Sequence, residues 1–123
     1  MIVFDVKQHL ENSPEVTALK GDRIYPVKLP QNPTYPAITY FQVSGSPINT
    51  KQGRFGERPR VQISCWAKSY TQVKQLAEKV KLAMDGYAKE NLHQNETDIY
   101  EDDVSVYHVP LDFIIFTKLK EDE

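Results

Sequence analysis

The sequence predicts an α+β fold: a mainly antiparallel β-sheet with one long helix packed on a face and short N-terminal helices. Three observations carry this. Val61, Ile63, Cys65 and Ala67 alternate with Gln62, Ser64 and Trp66, the two-residue period of a strand with one face on a core. Directly afterwards the period changes: Val73, Leu76, Ala77, Val80, Ala83, Met84 and Tyr87 recur at steps of three and four, one stripe of a helix. The remaining strand-like runs are joined by connections too short for repeated strand–helix–strand winding, which favours an antiparallel sheet. The 123 residues suit one domain, 1–123, with a single core.

In order along the chain, Phe4, Val6 and Leu10 near helical spacing predict a short helix over residues 1–12. Ser13-Pro14-Glu15 restarts it, with Ser as N-cap, Pro at the first helical position and an acid in the first turn. Val16 and Leu19 give this second helix its apolar side, and Gly21 stops it. Arg23–Val27 runs extended, and Pro30, Pro33 and Pro36 make residues 28–36 a stiff crossing. Ala37–Val43, rich in β-branched and aromatic residues, is a strand.

Residues 44–60 (SGSPINTKQGRFGERPR) hold three glycines and two prolines and almost nothing apolar, so a long flexible loop is expected over 44–59. At about 16 residues it is long for a connection between strands, and such loops are commonly functional. Lys51, Arg54, Arg58 and Arg60 face only Glu57 there, a local excess of three positive charges, with Phe55 among them.

For the long helix, Ser69 and Gln72 form a capping-box pattern, and Gly86 supplies a left-handed stop. Residues 87–97 read as polar linker. The closing strand places Tyr107, Val109, Leu111, Phe113 and Ile115 on one apolar face. Its other face is mixed, and Ile114 with Phe116 is too apolar for free solvent, so a second layer or a neighbouring subunit should cover it.

Composition narrows the function classes. With 40% hydrophobic and 26% charged residues the chain is ordinary globular protein, and its net charge of −2 gives no overall basic field. One cysteine and no signal-type start predict a reducing cytoplasm. No apolar run approaches the roughly 20 residues that span a bilayer, so no membrane partner is expected.

Chemistry is sparse. Cys65 with His93 or His108 would be a conceivable nucleophile and base, but Cys65 shares a face with Val61 and Ile63, where a buried unreactive thiol is the usual occupant. None of His9, His93 and His108 has a partner at metal-ligand spacing. Asp98, Glu101, Asp102 and Asp103 lack the glycine and the terminal glutamate of a calcium loop and read as a solvated turn. No catalytic, cofactor or metal residue is assigned, and no enzyme activity is expected. The basic segment Lys51, Arg54, Phe55, Arg58 and Arg60 could hold nucleic acid, and Ile114 and Phe116 are the candidate subunit interface.

Four stretches together resemble a known family. They are Leu19-Lys20-Gly21-Asp22-Arg23-Ile24-Tyr25-Pro26, then Tyr35-Pro36-Ala37-Ile38-Thr39-Tyr40, then Val61–Ala67 with its helix. The last is Asp98-Ile99-Tyr100-Glu101-Asp102 with Tyr107-His108 and Leu111-Asp112-Phe113. In this order, over roughly residues 14–118, the chain resembles the small tail-completion (tail-terminator) proteins of long-tailed bacteriophages and prophages. The resemblance implies a structural virion protein that caps the finished tail tube, ends its polymerisation and forms the head–tail joining surface. It implies a ring, typically a hexamer, whose partners are other copies of itself, the tail-tube protein and a head-completion or connector protein. DNA in the channel is a further contact it allows. The protein would sit in the tail or neck of the virion, and in the bacterial host cytoplasm during assembly. No catalytic residues carry over. Pro36, Trp66 and Phe113 would serve the start of a strand and the core. The alternatives are a head-completion or connector protein of the same particle, or a small nucleic-acid-binding α+β module using residues 51–60.

Overall fold

A computed structural model describes residues 2–50 and 53–118, with side chains described for 2–43 and 58–116. Three helices and seven strands follow in the order α1 (Ile2–Glu11), α2 (Pro14–Lys20), β1 (Ile24–Pro26), β2 (Ala37–Thr50), β3 (Gly53–Ala67), α3 (Tyr70–Asp85), β4 (Asn91–Glu96), β5 (Ile99–Glu101), β6 (Val106–Ile115) and β7 (Thr117–Lys118). The strands form one sheet in the order β1-β2-β3-β6-β4, with β5 added to β6 and β7 to β3. Only β1 runs parallel to its neighbour, setting Ile24 beside Ile38. Every other pairing is antiparallel, as the short connections predict.

One face of this sheet is closed by helices. Val61, Ile63, Cys65 and Ala67 of β3 and Val109, Leu111, Phe113 and Ile115 of β6 form a single hydrophobic cluster with Val73, Leu76, Ala77, Val80, Ala83 and Met84 of α3. Val6 and Leu10 of α1 and Val16 of α2 complete it. The expected core is thus found, except that Phe4 is 55% exposed, so α1 turns Val6 and Leu10 inward instead.

The caps show how local sequence sets the ends of the helices. The Ser69 hydroxyl accepts from the Gln72 amide at 3.0 Å, starting α3 as the capping pattern predicts. Pro14 opens α2, but Ser13 does not cap it through its side chain: its hydroxyl donates to the His9 carbonyl of α1 at 2.9 Å. That bond ties the end of one helix to the start of the next. Gly21 has φ +61 and stops α2 in the region that glycine adopts without strain. Gly86 has φ −92, so α3 does not end in a left-handed residue; the Gly86 amide instead bonds back to the Ala83 carbonyl and the Tyr87 amide to the Met84 carbonyl.

Two segments differ from expectation. Within the expected loop, residues 44–50 and 53–59 are strand: β2 and β3 continue as an antiparallel arm, pairing Ser44 with Arg60, Pro47 with Glu57 and Thr50 with Gly53, and β7 joins β3 at Gly56 and Glu57. Residues 91–96, within the expected linker, form β4 along the β6 edge.

Candidate interaction face

The sheet's second face carries no buried apolar helix residue. Along β3 it presents Arg58, Arg60, Gln62, Ser64 and Trp66, and along β6 His108, Pro110, Asp112 and Ile114. Register fixes the layout: Arg60 lies beside Ile114, Gln62 beside Asp112 and Trp66 beside His108. Phe41 of β2 pairs with Gln62, Leu92 of β4 with Ile114, and Ile99 of β5 with His108, so all three belong to this face.

Polar side chains cross-link it. Gln62 Nε2 donates to Asp112 Oδ1 at 2.9 Å, and Arg60 Nη2 to Gln94 Oε1 at 2.8 Å. The Trp66 indole N–H donates to Thr39 Oγ1 at 3.0 Å, and its ring stacks on His108 with centroids 3.7 Å apart and planes 7° from parallel. His108 Nδ1 faces Glu101 Oε1 at 3.4 Å, while Nε2 is buried without a partner among the described residues. Burial lowers the His108 pKa and the Glu101 carboxylate partly restores it. Trp66 therefore belongs to this face and not to the core, contrary to what the resemblance implies, because β3 alternation turns it away from Cys65.

The sequence-predicted interface residues are placed together with this surface. Ile114 lies on it, half-buried, and Phe116, also half-buried, follows at the end of β6. Of the basic group, Arg58 is exposed and Arg60 half-buried. Arg54 sits in β3 opposite Asn49. The side chains of Arg54 and Phe55, and the whole of Lys51, lie outside the described residues. The Trp66–His108 stack was not legible in the sequence; only cross-strand register brings residues 42 positions apart into contact.

The groups considered for catalysis have structural settings. Cys65 is fully buried, and burial pushes its thiol well above the usual range. His9 Nε2 lies 2.7 Å from the Ala83 carbonyl and His93 Nε2 3.0 Å from the Asn95 carbonyl. Of the acidic cluster, Asp98 accepts from the Tyr70 hydroxyl at 2.6 Å and from Lys74 at 2.9 Å. Lys74 also reaches Glu96 at 2.7 Å, and Lys81 reaches Glu96 at 2.9 Å, a network that fastens β4 and the start of β5 to α3. These contacts hold the Asp98 and Glu96 carboxyls below their ordinary range, through the Tyr70 and Lys74 hydrogen bonds respectively. A cleft of about 750 Å³ runs between Leu19 of α2 and Tyr70, Lys74 and Glu78 of α3. Lys20 is buried, its ammonium donating to the Gly21 carbonyl at 2.7 Å, and burial lowers its pKa. No group of three potential metal ligands occurs among the described residues, and no helix there is long and apolar enough to cross a membrane.

No curated protein sequence matches the chain. Among solved structures, a chain described under "Virion of native gene transfer agent (GTA) particle" superposes with a TM-score of 0.77 at 17% identity, covering 93% of this chain and 92% of that one. This likeness shows a shared fold. A family model described as "Tail completion protein gp17" matches residues 5–118, and the chain therefore belongs to that tail completion family.

Proposed function

We propose that this structural tail-completion protein works as a ring, a hexamer matched to a six-fold tail tube, that ends tube growth and presents the surface to which the head is joined. The observation that carries the reading is the helix-free face of the sheet. Phe41 and Ile114 are half-buried there, Leu92 is 55% exposed, and among the described residues no helix covers them. An apolar sheet face with a polar cross-linked centre suits burial against another protein. The arm of β2 and β3 supplies reach toward a neighbour, the tail-tube protein or a head-side connector. Ring assembly would take place in the host cytoplasm before the particle is complete.

The test replaces Ile114 and Phe116 together by Asp and examines tails assembled with the variant by electron microscopy. The expected result is tails of uncontrolled length or without heads, from a subunit that is folded by circular dichroism. Tails of normal length with heads attached would reject this face as the assembly surface.

A further inference from the structure

The open face is polarised along its strands, and this names a contact within the proposed ring, on which the inference rests. We infer that copies associate head to tail, the Arg58 and Arg60 end of one subunit's open face lying against the Glu101–Asp103 turn of the next.

The register of β3 and β6 sets the two ends apart. Arg60 pairs with Ile114 at the arm end, and Trp66 pairs with His108 at the other. Because Ile99 of β5 pairs with His108, the turn that follows β5 belongs to the Trp66 end. The six residue steps from Arg60 to Trp66 separate the ends by about 20 Å. That exceeds the roughly 8–10 Å over which exposed charges act at ordinary salt, so the acidic turn of one subunit does not neutralise that subunit's own arginines, whose acidic neighbour on the face is Asp112, beside Gln62. The turn of a second copy can.

The two ends match in chemistry as well. Residues 98–106 (DIYEDDVSV) contain four acids and no base, whereas β3 brings Arg54, Arg58 and Arg60 against one acid, Glu57. Asp98 is held by Lys74 and Tyr70, which leaves Glu101, Asp102 and Asp103 as the acidic contribution to the contact. Apolar groups flank the acidic turn: Ile99 is 36%, Tyr100 48% and Val104 60% exposed. At the basic end Leu92 and Ile114 do the same. Burying this apolar surface would exclude water from the charges and strengthen their attraction, while opposite signs at opposite ends set register and direction. A heterologous contact of this kind closes into a ring when its rotation fits.

Sedimentation of the full chain over a concentration series, at low and high salt, tests the contact with two reversal variants. Arg58→Glu/Arg60→Glu and Asp102→Lys/Asp103→Lys should each associate on the order of tenfold more weakly than the parent, with unchanged melting temperatures. Mixed one to one, they should recover association, because each reversed end then meets its complement, and the chain carrying all four changes should recover it alone. Either variant associating like the parent overturns the contact while leaving the ring reading intact. So does failure of the mixture and of the fourfold variant to recover, or a species that stops at dimers, which marks a two-fold contact. An arm variant that keeps parental association but loses retention of duplex DNA would assign the arginines to nucleic acid instead. A parent chain that forms no ring, alone or on tail tubes, removes the ring reading and this contact with it.

Discussion

The two faces of the sheet share one backbone but are built on different terms. Toward the helices, Val61, Ile63, Leu111 and Ile115 are fully buried, and α3, which follows β3 after two residues, supplies what covers them. On the other side the same strands place Trp66, His108, Gln62, Asp112 and Ile114, partly exposed and held to one another by stacking and hydrogen bonds. The first face is satisfied within the subunit and accounts for its stability. The second is organised without a helix over it, and substitutions at its partly exposed positions should separate association from folding.

The largest expected effect lies on the covered face. Leu76→Ala should cost about 2–5 kcal/mol, since Leu76 is fully buried against the sheet. A loss below about 1 kcal/mol in denaturant unfolding would mean that α3 does not provide the cover. A smaller effect belongs to the ion network at the sheet edge. Lys74→Met removes the cation shared by Glu96 and Asp98, and because all three side chains are partly solvated the loss should be about 1 kcal/mol or less and shrink in salt. A salt-independent loss of several kcal/mol would mean the network is effectively buried.

The smallest effect is on the open face and depends on pH. Native His108 binds its proton at lower pH than an unfolded histidine, because burial disfavours the charge. The unfolded chain therefore holds more protons as pH falls below about 6.5, and His108 makes stability decline in that window. His108→Phe should flatten the decline. Glu101→Gln should deepen it, because the Glu101 carboxylate is what partly restores the His108 pKa. Proton resonances of the His108 ring titrating above an unfolded reference peptide would contradict this setting.

What the sequence revealed follows the same division. The covered face was legible because packing leaves a local period: steps of two in β3 and β6, steps of three and four in α3, with Ser69 marking the start of the helix. The arm was not legible. Apart from Ile48, its pairing partners are polar or glycine and proline, as in Pro47 with Glu57 and Gly45 with Pro59, so no apolar alternation betrays it. β4 escaped for a related reason: Glu96, paired with Leu111 on the helix side, is held by Lys74 and Lys81 and so occupies an inward position with a charge. The candidate interface was half legible. Ile114 and Phe116 stood out as apolar residues on a polar side of the last strand, whereas the Trp66–His108 pair depends on long-range register.

Trp66 is the chain's only tryptophan, and the fold places its indole on the open face, hydrogen-bonded to Thr39 and stacked on His108. The molecule thus carries an intrinsic fluorescent reporter at the surface proposed to meet a neighbour, with no second indole in the core to mask it. Covering that face would remove water from around one chromophore and shift its emission toward the blue. Unfolding would shift the same emission toward the red, so a single spectrum can tell a subunit that has found its neighbour from one that has lost its fold.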